Sequence, residues 1–349
     1  MQEAQRLTQF SKGGGCGCKI APSVLQEMLG ERNNLKFPDL LVGNESSDDA
    51  AVFKLNNETA VISTTDFFVP IVDDAFDFGR IAAANAISDV YAMGGTPLMA
   101  VAILGWPIDK LPAALAKKVL EGAREICTEA GIPLAGGHTI DSSDPIFGLA
   151  VTGSASIHNL KKNNSARTGD LLFLTKPLGV GVLSTALKRG VLDPAHYSIL
   201  LEQMTKLNSI GSKLGENEQV HAMTDVTGFG LLGHLIEMAE GSSLSAIIHY
   251  PAVQKLSGVS EYLKQRTIPD ATFRNWNSYS KKVQFEKGVN VMEAFNLLPD
   301  PQTNGGLLIA VAEPGVNEIN EVLVTGGYPG LQPIGRLIAE GEKRIVVSV

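Results

Sequence analysis

The chain has 349 residues, which is enough for about two domains of ordinary size and excludes a single small module. Hydrophobic residues make up 44% of it and charged residues 19%, so it can bury substantial cores and is not disordered as a whole. With 29 Lys and Arg residues against 37 Asp and Glu residues, the net charge is −8, which argues against a nucleic-acid binder held by general electrostatics.

The sequence has no feature typical of membrane insertion or secretion. No stretch approaches the run of about 18 apolar residues that a spanning helix needs, and residues 1–15 lack the apolar core of a signal peptide. The three cysteines are odd in number, and Cys16 and Cys18 stand one residue apart, which disfavours a disulfide framework. We therefore expect a cytoplasmic protein with reduced thiols and with neither a membrane nor a nucleic-acid partner.

The beginning of the chain predicts a flexible arm followed by a short helix. Four glycines among residues 13–17 disfavour regular structure, because glycine loses the most backbone entropy on ordering. A helix is predicted over 22–31, with Gly30 as its stop.

The next part of the chain predicts a mixed α/β unit. Strands are expected over 50–53 and 59–63, the second ending at Asp66. A helix is expected from Asp77, its cap, to the glycine pair Gly94-Gly95. A strand, a helix and a strand follow in chain order, at 98–104, 112–130 and 147–152.

A polar run at 161–170 precedes a predicted strand at 171–175, with which a second α/β unit begins. The sequence therefore predicts an α/β (α+β) protein with two domains. Its expected parts are an arm and short helix at 1–47, a domain at 48–156, a linker at 157–169 and a second domain at 170–349.

Five carboxylates stand among apolar or glycine-rich neighbours, where they are costly unless exposed, paired or bound to a cation. Each alone could be a helix cap, a turn residue or a salt-bridge partner. Together with the glycine-rich segments they favour a Mg²⁺ ion whose coordination is completed by phosphates. They are Asp48, Asp49, Asp66, Asp89 and Asp225.

Three glycine-containing segments follow or precede predicted strands. At Asp225 a strand end enters a helix with Thr227 as its expected cap, which suits an anion or metal, although tight helix packing explains the glycines equally. The amides of Gly136-Gly137-His138-Thr139 can meet phosphates, whereas His138 itself is interpreted as a turn residue. A turn at 300–306 precedes a strand at 307–311, and its function stays open. No segment matches a P-loop, and we do not expect a Rossmann dinucleotide site.

The segment Cys16-Gly17-Cys18-Lys19 is the most unusual one. Thiols on a solvent-reachable arm beside a lysine are expected to have a lowered pKa and to act as a nucleophile or as a carrier of a soft ligand. A structural zinc site would need a second cysteine pair or a nearby histidine. An adventitious exposed pair is the remaining alternative. Cys127, within an apolar helix pattern, is predicted to be plain core.

Taken together, these motifs resemble those of the selenophosphate synthetase (selenide, water dikinase) family, in order over nearly the whole chain. The matching segments are Gly15-Cys16-Gly17-Cys18-Lys19, Asp48-Asp49-Ala50-Ala51-Val52, Thr64-Thr65-Asp66-Phe67-Phe68, Asn85-Ala86-Ile87-Ser88-Asp89, Ala135-Gly136-Gly137-His138, Thr224-Asp225-Val226-Thr227-Gly228-Phe229-Gly230 and Asp300-Pro301-Gln302-Thr303. The resemblance implies a two-domain fold like that of aminoimidazole ribonucleotide synthetase, with an amino-terminal ATP-binding domain whose sheet pairs across a homodimer.

The resemblance also implies an activity and a set of functional residues. Members of the family transfer the γ-phosphoryl group of ATP to selenide and hydrolyse the remaining ADP, which gives selenophosphate, AMP and orthophosphate for selenocysteine and seleno-tRNA synthesis. The implied catalytic residues are Cys16 and Lys19, and the implied Mg²⁺ ligands are Asp49, Asp89 and Asp225. The implied ATP contacts are Lys19, Ser46, Ser47, Asp48, Asp66, Asp89, Gly137, His138 and Thr139. A K⁺ requirement and a selenium-delivery protein are left open.

Two positions depart from the family pattern: Lys12 stands where a histidine is expected, and Asn304 where a serine is expected. The alternatives are a thiamine-monophosphate kinase or a hydrogenase-maturation protein of the same superfamily, against which the Cys16 arm argues. A non-enzymatic thiol metal chaperone is a third alternative, but it would leave the aspartates unexplained.

Overall fold

The first half of the chain builds a six-stranded sheet. The computed structural model describes residues 6–10, 13–20, 22–29, 37–43 and 48–349. The strands of this sheet are β1 (Leu40–Val42), β2 (Ala51–Lys54), β3 (Thr59–Phe68), β4 (Thr96–Trp106), β5 (Leu134–Asp141) and β6 (Ile146–Ser156). Their order is β1-β2-β3-β6-β4-β5, and all neighbours are antiparallel except β4 and β5, which are parallel.

Helices α2 (Ala75–Ala92) and α3 (Ala113–Glu129) follow β3 and β4, whereas the short helix α1 (Pro22–Leu29) precedes the sheet. Helices α2 and α3 pack closely because glycines line their contact. A side chain at Gly79 would overlap the carbonyl of Val119, and one at Gly122 would overlap the carbonyl of Phe76. Helix α2 is buried along nearly its whole length, so it lies in the interior of the molecule.

The second half of the chain builds a seven-stranded sheet in the order β10-β13-β9-β12-β7-β11-β8. Its strands are β7 (Leu171–Leu174), β8 (Val220–Asp225), β9 (Leu244–His249), β10 (Val283–Phe285), β11 (Leu307–Val311), β12 (Gly335–Ala339) and β13 (Ile345–Ser348). Its helices are α4 (Val180–Lys188), α5 (Pro194–Thr205), α6 (Ile210–Gly215), α7 (Gly230–Gly241), α8 (Val259–Lys264), α9 (Asp270–Tyr279), α10 (Val291–Leu297) and α11 (Val316–Thr325). Within the described residues, no helix is both long and apolar enough to cross a bilayer.

The predicted mixed α/β class and most predicted elements are confirmed. The helix predicted over 22–31 is present as α1, although residues 30 and 31 lie outside the described residues. Gly94 adopts a φ of 73° just after Met93, the last residue before the chain leaves α2, as expected of a glycine that ends a helix. Cys127 is buried in the core, also as predicted.

Two predictions around the first sheet are wrong. Asp66 does not end a strand: β3 continues to Phe68, and Asp66 pairs with Leu149 of β6. The cap of α2 is Asp74, whose carboxylate accepts a hydrogen bond from the amide of Asp77. Both aspartates satisfy the sequence rule for a cap. The helix begins after Asp74, so Asp77 lies inside its first turn.

Two further predictions about glycine segments are wrong. Helix α7 begins at Gly230 after Phe229 and not after Thr227. Residues 136–139 do not form a turn: they lie within β5, an edge strand that is exposed along most of its length. Pairing with β4 outweighs the weak strand preference of two adjacent glycines.

Candidate active site

One face of helix α2 carries polar residues that the interior of the protein buries. Asn85 and Ser88 are 0% exposed and Asp89 is 8% exposed. Their spacing of three and four residues puts them on one face of the helix. Buried polar groups need partners, and here those partners come from distant parts of the chain.

Asn85 joins the amino-terminal arm to both halves of the molecule. Its side-chain oxygen accepts hydrogen bonds from the Cys16 thiol (3.2 Å) and from the backbone amide of Asn304 (2.7 Å). Its side-chain nitrogen donates to Asp66 of β3. A single amide therefore fixes the thiol relative to a strand of the first sheet and to the loop before β11.

The described part of the arm around Cys16, residues 13–19, lies against the rest of the protein and is not free in solvent. Residues Gly15–Cys18 form a short 3₁₀-helix, and the amide of Cys16 donates to the Thr303 hydroxyl (3.0 Å). Gly15 has a φ of 51°, and a side chain there would overlap the Thr303 hydroxyl, so glycine is required. Arg274 of α9 holds the arm from the other side by donating to the carbonyl of Gly17 (2.8 Å).

Three carboxylates from different elements meet near α2. The Thr64 hydroxyl donates to Asp89, and the Ser88 hydroxyl donates to Asp225 at the end of β8. Asp49 accepts from the Thr224 hydroxyl (2.8 Å), and its second oxygen is buried without a hydrogen-bond partner among the described residues.

The protein raises the pKa of all three carboxyls. Burial is the largest cause for Asp49, and the charges of Asp225 and Asp89 raise its pKa further. Burial also raises the pKa of Asp89 most, followed by the charges of Asp225 and Asp66, and burial raises that of Asp225. These carboxylates therefore repel one another in a poorly solvated place, which a bound cation would relieve.

Lys19 is the lysine of the arm that faces these carboxylates. Its ammonium lies 3.6 Å from Asp66 and is about one-third exposed. Burial lowers the pKa of Lys19, but the charges of Asp66, Cys16, Asp89 and Asp225 outweigh it and raise the pKa above its ordinary value. Lys19 therefore stays protonated and can neutralise part of an anionic ligand.

The expectation of an exposed thiol with a lowered pKa is wrong for Cys16. Its side chain is 1% exposed, and burial raises the pKa of the thiol well above its ordinary value. The charge of Asp66 raises this pKa further, and Lys19 only partly offsets it. Cys18 is exposed as a residue, but neighbouring protein atoms partly desolvate its thiol, and this desolvation raises the pKa of Cys18 as well.

The other predicted site residues lie elsewhere. Asp48 accepts a hydrogen bond from the amide of Asn163 (2.7 Å), in the polar run between the sheets. The residues predicted at 46 and 47, Ser46 and Ser47, lie outside the described residues, as does Lys12. Within the described ranges, no three His, Cys, Asp or Glu side chains converge closely enough to enclose a metal ion by themselves.

The segment Gly137-His138-Thr139 is separated from Asp66 by two intervening strands. The register places Gly137 in the same cross-strand row as Asp66, through Ala102 of β4 and Leu149 of β6. Because neighbouring strands lie about 4.8 Å apart, this row spans about 14 Å. Within one chain, the predicted ATP-contacting residues are thus not brought to one point.

Sequence reasoning missed several residues that hold the site together. Asn208 donates to the Ser88 hydroxyl (2.8 Å), and Lys176 donates to the carbonyl of Asn304 (2.9 Å). Ser88 could have been found, because a polar residue three positions from Asn85 on an otherwise apolar helix is a sign of burial with a partner. Asn208 and Lys176 carry no such sign.

Two family models together match most of the chain. That of the AIR synthase related protein N-terminal domain matches residues 47–155, and that of the C-terminal domain matches residues 167–348. Among solved structures, thiamine-monophosphate kinase from Stenotrophomonas maltophilia has a TM-score of 0.64 at 20% identity, over 89% of this chain and 91% of that one. Hydrogenase maturation protein HypE in complex with ATP has a TM-score of 0.64 at 17% identity, over 99% and 95%. These likenesses establish the fold, which is that of the AIR synthase related proteins.

Closer relatives identify the family within this class. Selenide, water dikinase of Photorhabdus laumondii is 52% identical over 350 residues, which cover 100% of this chain and 99% of the relative. Selenide, water dikinase of Escherichia coli K12 is 53% identical over 345 residues, which cover 99% and 98%. The chain belongs to the selenide, water dikinase family of enzymes, as the sequence motifs indicated.

The loop that receives the arm is itself held by a buried acid. Asp300 is 0% exposed and accepts hydrogen bonds from the amide of Gly181 (3.0 Å) and from the Gln302 side chain (2.8 Å). Burial raises the pKa of Asp300 to about 8, although these hydrogen bonds partly offset it. Asp300 thus links the loop at 300–306 to the first turn of α4.

The raised pKa of Asp300 predicts a specific dependence of stability on pH. Between its ordinary value of 3.8 and about 8, the folded chain keeps a proton that the unfolded chain releases. The free energy of unfolding should therefore fall as pH rises through this window, by up to about 1.4 kcal/mol per pH unit from this group. In Asp300→Asn this contribution is absent, so urea unfolding from pH 5 to 8 should show the variant gaining stability relative to the wild type. The exposed variant Asp109→Asn is the control, and a pH-independent difference for Asp300→Asn would contradict the assignment.

Proposed function

We propose that this protein transfers the γ-phosphoryl group of ATP to hydrogen selenide and then hydrolyses the bound ADP. In the first step a phosphorus–selenium bond forms as the bond from the γ-phosphorus to ADP breaks. In the second, water attacks the β-phosphorus, and AMP and orthophosphate leave. Membership of the selenide, water dikinase family supports the reaction, and the observation that carries the site is the closed arm with Cys16 and Lys19 beside the carboxylates. The selenophosphate would supply activated selenium in the cytoplasm for selenocysteine and seleno-tRNA synthesis.

Mg²⁺ is the cofactor that this donor set fits. The unpartnered oxygen of Asp49 and the raised pKa of Asp49, Asp89 and Asp225 all favour a hard cation. Mg²⁺ is commonly held by one or two carboxylates together with substrate phosphates, so three carboxylates need not enclose one ion by themselves. When bound, it would neutralise phosphate charge that develops during transfer.

The arm supplies the remaining groups. Lys19 stays charged and would bind a phosphate oxygen, whereas Asp66 and Asp89 orient Lys19 and the nucleotide. Asp48, Ser46 and Ser47 belong to the adjoining segment and are proposed as further ATP contacts. Cys16 is proposed as the catalytic thiol, because its sulfur is soft, like selenium. The thiol also donates a hydrogen bond to Asn85, which bonds Asp66 in turn. The closed arm would also keep water from the selenium species.

A homodimer is proposed because one edge of the first sheet and apolar side chains on its face are exposed. The edge strand β5 is exposed, and apolar side chains on the same sheet are exposed as well, among them Phe67 (48%), Val101 (38%) and Ile140 (58%). Exposed edges and apolar faces of this kind are usually covered in native proteins. A second copy of the chain would cover both, and it would bring its own Gly137-His138-Thr139 segment toward the nucleotide of the first.

The reaction is tested by phosphorus NMR of ATP turnover under anaerobic conditions. AMP, orthophosphate and a selenium-bonded phosphate should accumulate together, and only when selenide is present. ADP as the main product without selenide would instead indicate an ordinary kinase.

The metal assignment predicts that Asp49→Asn and Asp225→Asn each weaken Mg²⁺-dependent ATP binding by about tenfold or more. The metal-free variants should melt at the same temperature as the wild type or higher, because each loses a repelled buried charge. Titration calorimetry with and without Mg²⁺ measures the first effect, and Asp109→Asn is the exposed control. Unchanged affinity together with lower stability would make these residues structural.

Replacing each of the two arm cysteines by serine should affect activity differently. Cys16→Ser is expected to lower selenide-dependent AMP release by about a hundredfold or more with little change in melting temperature, because serine keeps the shape and the hydrogen bond but not the soft sulfur. Cys18→Ser should keep substantial activity, because Cys18 is exposed. A fully active Cys16→Ser enzyme would exclude the thiol mechanism.

The dimer proposal predicts that Val101→Glu shifts the protein toward a monomer in sedimentation experiments, since it places a charge in the covered face. The same variant should bind ATP more weakly, because the second copy's residues 137–139 would be lost. Ala114→Glu, on the exposed face of α3, is the matched control. A monomeric wild type, or a dimeric Val101→Glu protein, would contradict the proposal.

A further inference from the structure

A cavity adjoins the closed arm. It has a volume of ≈ 340 Å³, and the arm, helices α4 and α9 and the loop at 300–306 line it. None of the clustered aspartates lines it. Thr303 does, and the same residue's hydroxyl accepts the hydrogen bond from the amide of Cys16. The cavity and the carboxylate cluster are therefore separate spaces next to the same thiol-bearing segment.

The lining of this cavity is basic. Among the described residues it includes Lys188, Arg189 and Arg274, against one acidic residue, Asp270. Arg189 donates to the carbonyl of Arg266 (2.8 Å) and Arg274 to a carbonyl of the arm, and a carbonyl is a neutral group that leaves the guanidinium charge in place. The net positive lining attracts small anions from solvent.

The opposite charges of the two spaces suit two different substrates. The carboxylates repel an anion that is not accompanied by a cation, so they favour Mg²⁺ with ATP and disfavour a bare selenium anion. In phosphoryl transfer the attacking atom approaches in line with, and opposite to, the leaving group. A selenium anion therefore needs a way in other than the space that the nucleotide occupies.

We propose that this basic cavity is the entrance through which selenide, present at neutral pH as the monoanion HSe⁻, reaches Cys16. The inference rests on the proposed function. Two of the cations also hold the arm: Lys188 donates to the carbonyl of Gly13 (3.3 Å) and Arg274 to that of Gly17 (2.8 Å). An anion that takes up these donors weakens the contacts that keep the arm over the buried thiol, so arrival of the anion and access to Cys16 are coupled.

Arg189→Gln is the sharpest test, because the hydrogen bond of Arg189 goes to Arg266 and not to the arm. Selenide-dependent AMP release should show a KM for selenide raised about three- to tenfold, with the KM for ATP and kcat at saturating selenide unchanged. Added salt should reduce the difference between variant and wild type, since it screens the charge. Lys188→Gln should act in the same direction. Lys117→Gln, on exposed α3, is the matched control.

An unchanged KM for selenide in both variants would overturn the proposal, and so would an equal rise in both KM values, which would indicate a general effect on the arm. Weakened inhibition by orthophosphate without a change in the KM for selenide would assign the cavity to product exit instead.

A readout that does not depend on turnover comes from crystals soaked anaerobically with hydrogen selenide without ATP. Selenium anomalous density beside Arg189 or Lys188 supports the entrance, and density only elsewhere overturns it. A wild type without selenide-dependent AMP release would refute the proposed function, and the soak would still decide the cavity.

Discussion

The need to pair the buried polar side chains of helix α2 constrains the rest of this structure. An unpaired buried polar group costs about 1–3 kcal/mol, so Asn85, Ser88 and Asp89 each require a partner that is held in place. Asn85 forms hydrogen bonds with the arm, with β3 and with the loop before β11. Ser88 forms one with the end of β8, and Asp89 forms one with β3. One helix thereby aligns segments that lie more than 200 residues apart in the chain, and the residues of the candidate site are positioned as a consequence.

The charge distribution around α2 lowers the stability of the folded chain. Carboxylates that raise one another's pKa destabilise the folded chain, and hydrophobic residues of the same volume would not. Such a cost is typical of sites whose cations arrive with the substrate. Lys19 offsets part of it, since its ammonium lies near Asp66 and its pKa is raised by the same carboxylates. Lys19 thus links the arm to the carboxylate cluster electrostatically.

Much of the fold could be predicted from periodicity and turn residues, because these depend on neighbours in the sequence. The errors lie where two local rules compete or where pairing decides. Asp74 and Asp77 both satisfy the rule for a cap, and only the path of the chain into α2 selects the first. The Gly136-Gly137 pair disfavours a strand locally, yet a parallel neighbour in β4 stabilises one. The carboxylates of the site were predicted because acidic residues in apolar surroundings are conspicuous, whereas Asn208 and Lys176 act through contacts that no local pattern records.

The glycine-rich composition of the arm predicts an exposed thiol, but the structure buries Cys16. Glycines in the sequence predict mobility and exposure, but the same lack of a side chain permits close packing. Gly15 lies against Thr303 and Ile71, and Gly228 lies against the carbonyl of Cys16. These approaches bury the thiol, and burial disfavours the thiolate. The pKa of the Cys16 thiol is therefore set by the contacts that bury it and by the charge of Asp66, and not by the ordinary acidity of an exposed cysteine.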